Sequence, residues 1–147
     1  MIRLPFLLLA LLALLGLLLG GCAGTPVEPS RNRAVYHVSE AGEQPVRAMQ
    51  FIRNHLEANP KARIVVVTHA AGVDFLMRGA KTERGNPYLT AIEDLELLEV
   101  KFLVCEITLR ERNLTRDRFV DQAAFVRSGV AELARLQSDE GYAYVKP

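Results

Sequence analysis

Three short stretches hold residues that could carry covalent or acid–base chemistry. Cys105 closes the apolar run Phe102-Leu103-Val104 and is followed by Glu106 and Thr108. His69 closes "RIVVVTH" (63–69), and Ser128-Gly129 opens "SGVAEL" (128–133). A cysteine reacts as its thiolate, whose pKa falls near helix N-termini or cations and rises in apolar surroundings. The residues after Cys105 offer a helix start, and Arg110 and Arg112 offer positive charge. Glu106 would oppose ionisation, but neighbours in extended chain face opposite sides. The competing reading is an inert cysteine packed as a small hydrophobe.

His69 and Cys105 would share one rim if their strands are neighbours, and a Cys–His pair can hold a thiolate. A structural histidine bonded to a loop explains the same residue without chemistry. His37 falls within a strand, facing core or ligand, and His55 falls on a helix, where solvation is expected. His37, His69 and Cys105 together lack the closely spaced ligand pair that marks a zinc site, so no metal is expected. Walker, G-x-G-x-x-G and G-x-S-x-G patterns are absent from the sequence, and no bound cofactor is expected. Ser128 and Gly129 suit an anion-binding helix start or a plain N-cap. "LRERNLTRDR" (109–118) reads as a solvated loop and helix face.

The elements that must position these residues alternate between strand and helix. "AVYHVSE" (34–40) is a short strand, and Pro45 opens a helix striped by Val46, Met49, Ile52 and Leu56 before Asn59-Pro60 stops it. The β-branched "RIVVVTH" is a central strand buried on both faces. A short helix over 70–80, a polar loop over 81–87 and a helix striped by Leu89, Ile92, Leu95 and Leu98 follow. "VKFLVC" (100–105) is the third strand. Thr115 caps a helix expected around 116–124. "FVRSG" (125–129) is a fourth strand, Val130, Leu133 and Leu136 stripe a last helix, and "YAYV" (142–145) is a fifth strand. This alternation predicts an α/β three-layer sandwich, with a mostly parallel sheet of about five strands and helices on both faces. Ligands of such sheets sit at the carboxyl ends of strands, which makes Ser39, His69, Cys105 and Ser128 candidates.

The N-terminus bears on compartment. Arg3 precedes an apolar run from Phe6 to Leu19, then Gly20, Gly21 and Cys22. That is the layout of a secretory signal, and the run is shorter than the roughly 20 apolar residues of a membrane span. "LGGC" (19–22) resembles the lipobox of bacterial lipoproteins, which implies cleavage of residues 1–21 and lipidation of Cys22. Ala23 stands where an inner-membrane retention Asp would, which by resemblance to Gram-negative sorting favours the outer membrane. The expected organisation is a signal over 1–21, a flexible tether over 22–33 and one domain over 34–147. Lys and Arg number 18 and Asp and Glu 17, with Arg3 the only charge before Cys22. So balanced a chain argues against nucleic acid as a partner. With Cys22 lipidated, Cys105 is the one remaining thiol, and an intramolecular disulfide is excluded.

"VVVTHAAGVDFLMRGA", "LELLEVKFLVCEITLRERNL" and "VRSGVAELARLQSDEGYAYVKP" resemble the DsrE/DsrF-like family of small sulfur-relay proteins over residues 34–147. The resemblance implies an α/β sandwich, assembly as a homo- or hetero-oligomer, and a strand-end cysteine, here Cys105, that accepts sulfane sulfur as a persulfide. It implies a site-lining place for His69. Thr108, Arg112, Ser128 and Gly129 are further site-lining candidates, which the resemblance itself does not assign. A persulfide carrier needs a thiol or persulfide partner protein. The well-studied relay members are cytoplasmic, whereas this chain carries an export signal, with the membrane reached through its lipid. The rival expectation is a non-catalytic oligomeric binding or assembly module with a structural Cys105.

Overall fold

In the computed structural model, residues 32–147 are described. The signal, Cys22 and nearly all of the tether lie outside the described residues. Five strands, β1 (Arg33–Val38), β2 (Arg63–Thr68), β3 (Lys101–Cys105), β4 (Ala123–Val126) and β5 (Ala143–Val145), form one sheet in the order β4-β3-β2-β1-β5. Every pairing in it is parallel. The helices are α1 (Glu43–Ala58), α2 (Tyr88–Glu96), α3 (Glu106–Glu111) and α4 (Gly129–Ser138), with 3-10 turns at Ala70–Leu76 and Arg116–Arg118. This is the expected α/β fold.

Strand alternation sorts the side chains into two unequal layers. Tyr36, Ile64, Val66, Phe102 and Val104 face α1, α2 and the first 3-10 turn, where Met49, Ile52, Ile92, Leu95, Val73 and Leu76 complete a large apolar cluster. Phe75 anchors that layer, edge-on to Tyr88 (5.7 Å) and Phe102 (6.4 Å). The other face presents Val35, Val65 and Val67, covered by Leu133 and Leu136 of α4. The "RIVVVT" strand is central and buried on both sides because apolar residues stand at consecutive positions rather than alternate ones.

Several boundaries differ from expectation. Helix α1 begins at Glu43, not Pro45, so the proline is its third residue, still among the first four N–H groups that lack an intrahelical partner. Residues 70–76 form a 3-10 turn because the segment must pass close under β1. A Cβ at Gly72 would lie 2.2 Å from the Val38 carbonyl oxygen. The helix expected around 116–124 shrinks to the 3-10 turn Arg116–Arg118, because Phe119 and Val120 bury themselves and lead into β4 two residues earlier than "FVRSG" suggested. His55 is half-buried rather than solvated, with Nδ1 3.0 Å from the Tyr36 hydroxyl. Among the described residues no helix is long and apolar enough to cross a membrane.

Candidate functional site

Cys105 ends β3 and caps α3, so the strand delivers its sulfur to the carboxyl rim and the chain turns at once into a helix. Alternation points the side chain away from the large cluster, toward α4. Helix α4 begins at Gly129, where a larger residue would crowd its neighbours. A Cβ would lie 3.2 Å from Cys105 Cβ, 3.3 Å from the Thr68 carbonyl oxygen and 3.4 Å from His69 Cβ. The same three distances show that Cys105 and His69 flank one helix end, as expected of neighbouring strands.

Cys105 is 4% exposed. Burial alone pushes its thiol up. The backbone N–H of Gly129, the N–H and hydroxyl of Thr108 and the N–H of Ile107 all donate to the sulfur and outweigh burial, so the thiol lies below its ordinary value. The stabilising groups are backbone dipoles and a hydroxyl, not the Arg110 and Arg112 charges expected from sequence. Arg112 instead donates from Nη1 to the Ala70 carbonyl (3.0 Å) and lies 2.7 Å from Asp74 Oδ1. Glu106, the carboxylate beside the thiol, is taken up by an ion pair with Arg116.

Thr108 is buried, and its one hydroxyl serves two purposes. The O–H donates to the sulfur, while Oγ1 accepts from the Ala70 N–H at 2.9 Å. Ala70 holds φ 50°, a left-handed conformation disfavoured for a residue with a Cβ. Thr108 on its N–H and Arg112 on its C=O clamp that peptide, fixing the turn that carries His69. Ser128 Oγ accepts from the Ala131 N–H at 3.3 Å, an ordinary N-cap for α4.

The histidines form a second group on the same face. His37 and His69 stack with ring centroids 4.8 Å apart, and their Nε2 atoms are 2.6 Å apart. His37 Nδ1 is 2.6 Å from the Tyr144 hydroxyl. Burial is the main reason that His37 is lowered to about 4, with the charges of His69 and Lys146 adding to it. Burial, then Lys146, also lowers His69. Both rings are neutral at neutral pH, and one Nε2–H donates to the other Nε2. Lys146 is held near by Gln44, a buried amide whose Oε1 accepts from the Ser39 and Glu40 N–H groups (2.8 Å each) and whose Nε2 donates to the Pro147 carbonyl (3.3 Å).

Sequence reasoning placed Cys105, His69, Thr108 and Gly129 together, and the structure brings them together. It missed Tyr144 and Lys146, and it left His37 undecided. The available signal was parity: His37, His69 and Cys105 project to the same face once the register pairs His37 with Val67. Among the described residues no group of three or more His, Cys, Asp or Glu is placed to hold a metal ion.

A family model described as the DsrE/DsrF-like family matches residues 33–147. Among solved structures, the protein of unknown function MTH1491 from Methanobacterium thermoautotrophicum is 31% identical, with TM-score 0.71, covering 79% of this chain and 99% of that one. The ychN protein from E. coli is 15% identical, with TM-score 0.66 and the same coverage, a likeness of fold. Comparison with curated proteins gives no significant match.

Proposed function

This chain belongs to the DsrE/DsrF-like family, and from that premise we propose that it binds or relays sulfane sulfur on Cys105 in the bacterial envelope. The observation that carries the proposal is the polar lining of a buried thiol. An inert cysteine packed among apolar groups has its pKa raised, whereas four donors converge on this one and lower it. The Cys105 thiolate attacks the outer sulfur of a donor R–S–SH. The donor S–S bond breaks, a new S–S bond forms, and R–S⁻ leaves, with no net oxidation. An acceptor thiolate then attacks the outer sulfur of Cys105–S–SH and regenerates the Cys105 thiolate as leaving group. The donors around the sulfur stabilise that anion before and after transfer. Neutral His69, beside the same helix end, can accept the persulfide proton.

The location is part of the proposal. Residues 1–21 act as a signal, Cys22 takes lipid, residues 22–33 form the tether, and the domain over 34–147 faces the periplasm, with outer-membrane sorting favoured by Ala23. The chain assembles as a homo-oligomer and passes sulfur to a thiol partner protein.

Incubation with a persulfide donor followed by mass spectrometry tests the chemistry. Wild type is expected to gain about 32 Da, one sulfur atom, releasable by cyanide, and Cys105→Ser is expected to gain none. A wild-type chain that gains no such adduct, with a thiol that alkylates only after denaturation, defeats the relay reading and leaves the binding module.

A further inference from the structure

The edge of the sheet opposite the thiol carries a feature that sulfur transfer does not use. In a parallel sheet every strand starts at the same edge, so Arg33, Arg63, Lys101, Ala123 and Ala143 line up there. The turn from α2 into β3 projects from this edge with Leu97 84% and Leu98 54% exposed. The turn is a built one. The Val100 N–H closes back on the Leu95 carbonyl at 3.0 Å, and Glu99 adopts φ 62°, the left-handed position that ends a helix. Two adjacent leucines are therefore held outward by backbone hydrogen bonds, Leu97 almost bare and Leu98 half covered. Leu98 also lines a cleft of about 430 Å³ with Pro60, Leu56 and Arg53.

The chain enters the domain at the same edge. The Arg63 N–H donates to the Asn32 carbonyl at 2.6 Å, and Asn59 Nδ2 donates to Asn32 Oδ1 at 3.0 Å. Asn32, the first described residue, thus lies beside the Pro60 loop that shares the cleft with Leu98, and the chain that leads back to Cys22 joins the domain there. Resting on the lipid anchor proposed for Cys22, we infer that this amino edge is a membrane-contact face, with Leu97 and Leu98 entering the lipid interface on the side of the domain where Asn32 joins the anchored segment.

The charges around the leucines specify the lipid. Arg53, Lys61, Arg63 and Lys101 are exposed at this edge, and so are Glu57, Glu96 and Glu99. The signs nearly cancel, so the contact is apolar and zwitterionic phospholipid suffices. The contact adds a foothold on the domain itself to the lipid on Cys22. The contact also fixes orientation: the strands run away from the bilayer, and Cys105 and the histidines face the aqueous compartment.

The sequence contains no tryptophan, so a single one reports its own surroundings. Leu97→Trp and Val130→Trp of the lipidated chain from Cys22 onward, the latter replacing a 63% exposed residue at the opposite rim, would be reconstituted into zwitterionic vesicles with brominated acyl chains. Leu97→Trp is expected to shift to the blue and to be quenched by the bromines, unchanged by high salt. Val130→Trp is expected to emit as in water. Membrane-bound chains with unquenched Leu97→Trp, or with both positions quenched alike, overturn the inference. So does a blue shift of Leu97→Trp that grows with protein concentration without lipid, which would make a second copy the occupant. A chain that stays off the vesicles also overturns it.

Discussion

The two faces of the sheet differ in how they are covered and in what they carry. One face lies under α1, α2 and the 3-10 turn at 70–76, and most of its buried side chains are apolar. The other is covered by α4, and five buried residues make its core. Cys105, His69, His37 and Tyr144 all project to this thinner face, and Gly129 lies against it. Because α4 starts at the rim, its first N–H reaches the sulfur, and beyond that helix end the histidine rings stay partly open to water. Burial on the first face stabilises the fold, while the sparse cover on the second leaves room for a thiolate and two imidazoles. Stability and reactivity are therefore expected to respond to different substitutions.

The largest effect tests that division. Phe102, 1% exposed and packed on Phe75, belongs to the thick face. Phe102→Ala is expected to lower stability by about 3–5 kcal/mol, read as a shift in urea midpoint, while the folded fraction keeps the wild-type pH dependence of Cys105 alkylation. Leu133, 6% exposed on the thin face, is expected to cost about 2 kcal/mol on truncation to Ala, because fewer atoms are removed than from Phe102 and the cavity left is smaller. Its loss loosens α4, so the alkylation profile should move upward in pH. Equal costs, or an unmoved profile in Leu133→Ala, would dissolve the distinction.

How much of this was legible in the sequence follows from which interactions are local. The continuous apolar run 64–67 marked β2 as central, and "FLVC" followed by a helix start placed Cys105 at a strand end, because both signals lie within a few residues. Ser128-Gly129 read as a helix start for the same local reason, while the close approach of Gly129 to the thiol is a product of tertiary packing. The His37–His69 pair did not follow, since it depends on a register between residues 32 positions apart. Tyr144 stands on the edge strand β5, which pairs only with β1, and its place beside His37 is a product of tertiary assembly. Arg112 misled for a related reason. Its charge lies near the cysteine in sequence, but the helix carries it to the Ala70 carbonyl, where it clamps a strained peptide.

Thr108 joins the two faces and gives the next effect. It caps the thiolate on the thin side and holds the Ala70 N–H of the turn that packs under the thick side. Thr108→Val keeps the shape and removes the hydroxyl. The Ala70 N–H loses its acceptor, at about 1–3 kcal/mol of stability. The thiol loses one donor, so thiolate formation, followed by ultraviolet absorbance against pH, should shift to higher pH than in wild type. Thr108→Ser should restore both readouts. A thiolate titration unchanged in Thr108→Val would mean that the backbone N–H groups suffice.

The smallest effect belongs to the histidine pair, and its sign separates the faces once more, because the large apolar cluster contains no titratable imidazole. His37 binds its proton near pH 4 in the folded chain, against an ordinary 6.5. Between those values the unfolded chain holds a proton that the folded chain does not. Stability is then complete above about pH 6.5 and falls as pH drops toward 4. The ring is partly solvated, so the loss from this group is on the order of 1 kcal/mol rather than the full shift. His37→Gln keeps an amide that can face Tyr144 and His69 but cannot titrate in this range. It is expected to flatten the part of the urea-midpoint curve between pH 6.5 and 4. An acid limb as steep in His37→Gln as in wild type would place that pH sensitivity elsewhere, and the stacked pair would then be a packing contact of the thin face rather than its titrating element.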